Sequence, residues 1–140
     1  MELEIKINTH GNSLPEQHGE YIDLRCAEDV MMTAGENKII SLGVSMELPE
    51  GYYAEVAPRS SMFKNHGIIM TNSPGVIERH YWGDNDIWGL SAYATRDTFI
   101  PKGTRLCQFR LVKQAPRVKF VSVDKLGNPD RGGFGSTGKS

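Results

Sequence analysis

An all-β fold, a sandwich or barrel of short strands, is predicted by three observations. Apolar and polar residues alternate with a period of two along most of the chain, the pattern of a strand with one face on a core and one in water. Turn signals rich in Pro, Gly and Asn separate these runs at short intervals. No long window carries the 3.6-residue period of an amphipathic helix.

Taken in order, Leu3, Ile5 and Ile7 alternate with Glu2, Glu4 and Lys6. Ile22, Leu24 and Cys26 alternate with Asp23 and Arg25. The cleanest run is Ile40, Leu42, Val44, Met46 and Leu48 against Ser41, Gly43, Ser45 and Glu47. Pro49-Glu50-Gly51 then reads as a hairpin loop leading to a strand over Tyr52–Val56. One or two helical turns are expected near Ser60–Asn65. Asn72-Ser73-Pro74-Gly75 is a second sharp turn, and Pro101-Lys102-Gly103 a third, before a strand over Thr104–Val112. Val118, Phe120 and Val121 predict a late strand. From Gly127 onward Phe134 is the one large apolar side chain, too little to repay ordering on its own. The expected organisation is one domain over 1–126 and a Gly-rich arm over 127–140 that orders on a ligand.

Composition narrows the function classes. With 140 residues a single domain with a real core is expected. Lys plus Arg number 16 against 17 acids, a balance that excludes a bulk electrostatic grip on nucleic acid or an acidic membrane. A local basic site for one phosphorylated ligand remains open. Cys26 and Cys107 sit in apolar stretches without a CxxC partner, as reduced buried thiols do. No apolar run reaches the roughly 18 residues of a membrane span. The first residues carry no basic region or apolar signal core, so the expected compartment is the cytoplasm.

Four segments carry chemistry. Ala57-Pro58-Arg59-Ser60-Ser61-Met62 follows a strand and combines a five-donor guanidinium with two hydroxyls, a set suited to phosphate. In Asn72 to Asp84, a rigid turn carries an amide suited to a base edge. Glu78 then follows two apolar residues, so that its carboxylate is held for use as a general base on water. Gln108, within Gly103-Thr104-Arg105-Leu106-Cys107-Gln108, places a carboxamide in an apolar strand, where it needs partners. The tail from Asp130 to Ser140 ends in a GxxxxGK[ST] string. A Walker site needs a helix after that string, and the sequence stops at Ser140. Its side-chain-poor backbone at Gly135 and Ser136 is still suited to wrap phosphate oxygens. Arg131 and Lys139 add charge, and Phe134 offers a π-face. Each segment also has a plain alternative: a surface Arg beside a helix cap, a surface acid, a carboxamide satisfying its neighbour, a frayed end.

In this order the segments resemble the trimeric deoxyuridine triphosphatases (dUTPases). The five family motifs correspond to Ile22-Asp23-Leu24-Arg25, Pro58-Arg59-Ser60-Ser61, Asn72 to Gly83, Gly103 to Gln108, and the Arg131–Gly138 tail. Trp82-Gly83-Asp84-Asn85-Asp86 and the short fifth motif resemble the enzymes of Gram-positive bacteria and their phages. The resemblance implies a β-clip or jelly-roll-like barrel, homotrimeric, with three sites shared between subunits. It implies Asn72 and the backbone near Gly75 on uracil, Tyr81 on the deoxyribose, and Arg59, Ser60, Ser61 and Gln108 on phosphates. Arg131 would bind the γ-phosphate and Phe134 would stack on uracil, with Gly135 and Ser136 in the closing arm. Mg²⁺ would ride on the triphosphate, with Asp23 near its waters. Glu78 would activate water for attack on the α-phosphorus, giving dUMP and pyrophosphate.

Two departures stand out. The family carboxylate is normally Asp, and here it is Glu78. The family spacing between motif-five Arg and aromatic is longer than Arg131-Gly132-Gly133-Phe134, which makes Trp88 an alternative lid, with core packing as its plainer reading. Two competing functions are a dCTP deaminase relative and a dUTP-binding regulatory protein with weak turnover and a phage-type protein partner. Ile87 to Ala94 contains no carboxylate for a deaminase.

Overall fold

The structure, a computed structural model, describes residues 2–133. Its strands are β1 Lys6–Asn8, β2 Gln17–His18, β3 Tyr21–Arg25, β4 Val30–Met32, β5 Asn37–Ser41, β6 Ser45–Glu47 and β7 Tyr52–Pro58. A single helix among the described residues, α1 Met62–His66, comes next. Then come β8 Ile68–Met70, β9 Gly75–Ile77, β10 Gly89–Ala94, β11 Thr98–Ile100 and β12 Arg105–Lys113. The largest sheet runs β2-β3-β12-β7-β9, and a second runs β5-β10-β8. Two-stranded pairs β1-β6 and β4-β11 complete a nearly all-β, jelly-roll-like architecture. All the strand pairings are antiparallel.

One apolar core joins the four sheets. Leu24, Met32, Ile40, Met46, Val56, Leu90, Ile100, Leu106 and Phe109 are all buried in it. The predicted inward set Ile40, Leu42, Val44, Met46 and Leu48 is buried throughout. It is not one strand, however. At Gly43 the backbone turns to φ 69°, and the chain passes from the second sheet to the β1-β6 pair. The expected hairpin at Pro49-Glu50-Gly51 is therefore overturned. The turn forms, with Tyr52 N–H donating to Pro49 C=O at 3.2 Å, but β6 pairs with β1 and β7 with β12 and β9. The alternation encodes which face is buried and not which strand is the neighbour.

The predicted late strand is also overturned. No strand forms at 118–121, and Val118, Phe120 and Val121 are 69%, 92% and 71% exposed. A strand needs a hydrogen-bonding neighbour, and within the described chain this segment has none. The short helix, by contrast, falls close to its predicted bounds. It begins after Ser61 and ends at Gly67, whose φ of 66° is the left-handed conformation of a helix stop.

Candidate active site

β12 carries an irregularity that builds half of the site. Its register on β3 shifts between Arg105 and Cys107, so Leu106 and Cys107 are both buried. An extra residue of this kind re-aims the side chains beyond it. Arg105 and Gln108, which simple alternation would put on opposite faces, thus share the outer one. Gln108 lies directly opposite Asp23 on β3 and opposite Ala57 on β7. Arg59, just past β7, is tied to the same place by its N–H on Leu106 C=O at 3.2 Å.

These residues form one polar cluster. Asp23, with a side chain only 16% exposed, lies between Arg59 Nε at 3.4 Å and Arg105 Nη1 at 3.3 Å. Gln108 Nε2 donates to Pro58 C=O at 3.2 Å. The Gln108 carbonyl oxygen makes no hydrogen bond among the described residues. Ser61 makes no helix-capping bond; its hydroxyl accepts from Arg59 Nη1 at 3.4 Å. Ser60 is exposed beside it. Two guanidiniums, an amide and two hydroxyls around one carboxylate form an anion-binding arrangement with strong directional donors. A cavity of about 460 Å³ opens beside it, lined by Asp23, Arg25, Lys102 and Arg105.

Beneath this cluster lies Cys107, whose thiol is pushed up to about 12, first by burial and then by the Asp23 and Cys26 charges. Both cysteines are free and buried, as expected.

The second half of the site is the segment from Asn72 to Tyr81. Asn72 is exposed on the turn that enters β9. Gly75 is buried, and a Cβ there would meet Met70 Cε at 2.8 Å and Val56 Cβ at 3.4 Å, so a side chain at this turn would have to displace the end of Met70. β9 pairs with β7, setting Ile77 opposite Ala54. Glu78 follows at the strand end, exposed, where Tyr81 N–H donates to its carbonyl at 3.1 Å. The Glu78 carboxylate makes no hydrogen bond or ion pair among the described residues. Glu78 and Tyr81 border a cavity of about 420 Å³ whose other walls are Ile39, Val76, Ile77, Ile87, Trp88 and Gly89. A pocket with apolar walls and one carboxylate suits a flat, partly apolar ring and sugar.

Trp88 is corrected. It is 1% exposed and meets Phe109 edge to face at 5.1 Å. A ring held inside the core cannot swing over a ligand. Arg131 is described and exposed, while Phe134, Gly135 and Ser136 lie outside the described residues. Among the described residues no three His, Cys, Asp or Glu side chains gather to hold a metal ion, and no helix is long and apolar enough to cross a membrane.

Pattern reading of the sequence did not single out two anchors of the 78–84 segment. Arg79 Nε donates to Leu48 C=O at 2.9 Å, and its guanidinium lies 4.9 Å from the Trp82 ring. Ser45, the one buried polar side chain of the described core, donates to Asp84 C=O at 2.8 Å. Its hydroxyl has a single proton, so it accepts from His10 Nε2 at 2.6 Å. Asn8 Nδ2 adds a bond to Asp84 Oδ1 at 2.9 Å. Alternation put Ser45 on the water-facing side of its run, so no local signal marked this anchor. Nothing in the local sequence pairs Arg79 with Leu48, 31 residues away.

An anion-binding cluster and a carboxylate-edged apolar pocket on a jelly-roll-like framework define a nucleotide-processing class of protein. The sequence pattern of the dUTPase family matches residues 16–138, and the chain belongs to that family. It is 60% identical over 122 residues to the SPbeta prophage-derived deoxyuridine 5'-triphosphate nucleotidohydrolase YosS of Bacillus subtilis, covering 87% of this chain and 86% of that protein. It is 38% identical to the deoxyuridine 5'-triphosphate nucleotidohydrolase of Hydrogenobaculum sp., covering 84% and 82%. The fold matches the dUTPase of Staphylococcus bacteriophage 80alpha with a TM-score of 0.78 at 20% identity, over 95% of this chain and 97% of that one. It also matches a mutant dUTPase from phage phi11 of S. aureus, with a TM-score of 0.73 at 18% identity, over 88% and 98%.

Proposed function

We infer that this chain is a dUTP diphosphatase, hydrolysing dUTP to dUMP and pyrophosphate, with Glu78 as the general base. The observation that carries the assignment of Glu78 is its position at the edge of the 420 Å³ apolar pocket, next to Tyr81. In this reading Asn72 and the Gly75 turn hold the uracil edge, and Tyr81 packs on the deoxyribose. Arg59, Ser60, Ser61 and Gln108 take the phosphates. Glu78 removes a proton from water as the water oxygen attacks the α-phosphorus. The bond from that phosphorus to the bridging oxygen breaks, and pyrophosphate leaves with the electron pair. Positioning and charge neutralisation supply most of the acceleration.

We further propose that the working site joins two copies of the chain. Glu78 follows Ile77, which pairs with Ala54, whereas Gln108 pairs with Ala57. At about 3.3 Å per residue, Glu78 sits roughly 13 Å along β7 from Gln108 and about 20 Å from Arg59. One hydrolytic water cannot touch Glu78 while its target phosphate touches that cluster in the same chain. A homotrimer with shared sites brings the halves together. The exposed apolar side chains Ile39, Ile69, Val76 and Tyr93 and the unpaired 118–126 segment suit such contacts. The arm over 127–140 closes over the ligand in this reading, with Arg131 on the γ-phosphate and Phe134 on the base.

A divalent cation fits this site as a partner of the triphosphate. Asp23 is a single carboxylate already flanked by two arginines, a donor set for water-mediated contact and not for an all-protein cage. Bound Mg²⁺ supplies charge neutralisation on the phosphates. The test is Glu78→Gln. Turnover falls by about 10²–10⁴-fold, the usual weight of a general base, while binding of a non-hydrolysable dUTP analogue persists. Turnover at the parent rate removes Glu78 from the role.

A further inference from the structure

We propose that Arg79 is the positioning residue for the catalytic carboxylate, a device that fits the longer Glu78 arm to a reaction needing sub-ångström placement. The inference rests on the reading of Glu78 as the base. Glu78 lies between two open spaces, the 420 Å³ pocket and a second cavity of about 230 Å³ lined by Tyr53, Arg79, His80 and Gln114. Its carboxylate has no partner among the described residues, so no side-chain contact there fixes its direction. A glutamate also has one more rotatable bond than an aspartate, and each free rotor spreads the carboxylate over more positions. What remains to aim it is the backbone at residues 78 and 79.

That backbone is held by Arg79. Its Nε donates to the carbonyl of Leu48, a residue 1% exposed. Leu48 lies in the turn between β6 and β7, so the bond ties the Glu78 turn to the core scaffold. The guanidinium lies against Trp82 at 4.9 Å, and His80 meets the same indole edge-on at 4.8 Å. With Tyr81 N–H on Glu78 C=O, the turn from 78 to 82 is closed by one backbone bond and braced by the side chains of Arg79, His80 and Trp82. The Arg79 charge is directed into a carbonyl and a ring face, which assigns it to holding the turn.

The test measures kcat and KM for dUTP with Mg²⁺, and affinity for a non-hydrolysable dUTP analogue. Arg79→Ala lowers kcat by about 10²-fold, the penalty of roughly a 1 Å misplacement, with analogue affinity little changed. Arg79→Lys gives an intermediate loss, because a lysine keeps the charge but not the flat, directed donor. Adding Arg79→Ala to Glu78→Gln causes little further loss, since a residue acting through Glu78 has nothing left to place. Parent-like kcat in Arg79→Ala overturns the proposal. So does a parallel loss of kcat and analogue affinity, which would make Arg79 a wall of the pocket. If Arg79→Ala does not fold, Arg79→Lys decides: lowered kcat at unchanged KM supports the role, and parent kcat refutes it. Failure of the underlying reading is separate, because then Glu78→Gln itself retains turnover.

Discussion

Two inactive variants should restore each other. The perturbation pairs Glu78→Gln with a second chain carrying Arg59→Ala and Gln108→Ala. The magnitude follows from the strand register. Ile77 lies opposite Ala54 and Gln108 opposite Ala57, so base and phosphate cluster are roughly 13–20 Å apart along β7. Each site therefore takes Glu78 from one copy and Arg59 with Gln108 from another. In a random equal mixture the copy supplying Glu78 is intact half the time, and independently so is the copy supplying the cluster. About one site in four is then complete, and the mixture regains about a quarter of the parent rate per site. The assay co-expresses the two chains with different tags, purifies doubly tagged assemblies together with the singly tagged ones, and follows pyrophosphate release from dUTP. Each variant alone gives background. Background in the mixture, with mixed assemblies present, would refute the shared site and place all the chemistry in one chain.

Other predictions follow from single contacts. Glu78→Asp lowers kcat by up to about 10²-fold, because the turn braced by Arg79 is set for the longer arm; a rise in kcat contradicts this. Ser45→Ala removes the bonds to Asp84 C=O and His10, whose groups lie at exposed residues and turn to water, destabilising the fold by about 0.5–1.5 kcal/mol, read as a lowered midpoint in denaturant. Cys107 resists alkylation in the native protein at pH 8, because burial holds its thiol neutral. Its folded pKa is raised, so its contribution is full below the ordinary thiol range. It is lost as pH climbs from there through about 12, and Cys107→Ala flattens that alkaline decline in a denaturation series.

What the sequence made legible was mainly local. Alternation around Ile40 to Leu48 identified the core-facing set correctly, because side-chain period is a property of each strand alone, but Gly43 and Ser45, which the same alternation put toward water, are buried too where the chain changes sheets. The turns at Asn72–Gly75 and Pro101–Gly103 and the helix after Ser61 were legible for the same reason. Pairing was not, as the separate sheets of β6 and β7 demonstrate. The residues of the anion cluster were named from motifs, yet their convergence depends on the irregularity at Leu106 that turns Gln108 toward Asp23. No period announces an added residue. Val118, Phe120 and Val121 read as a strand because their pattern suits one, and they lack a neighbour within the described chain. Core packing was the plainer reading of Trp88 and holds, while its partner Phe109, 21 residues away, was not legible. The Arg79 and Ser45 anchors span 31 and 39 residues, distances over which only the folded chain makes contacts.

The most direct test of the account is turnover in ¹⁸O-labelled water. The protein is given Mg²⁺ and, separately, dUTP, dCTP, dTTP and UTP, and products are weighed by mass spectrometry. Attack by a base-activated water on the α-phosphorus puts one label in dUMP, leaves pyrophosphate unlabelled, and spares the other three nucleotides. Label in pyrophosphate, ammonia from dCTP, or tight dUTP binding without products would contradict it.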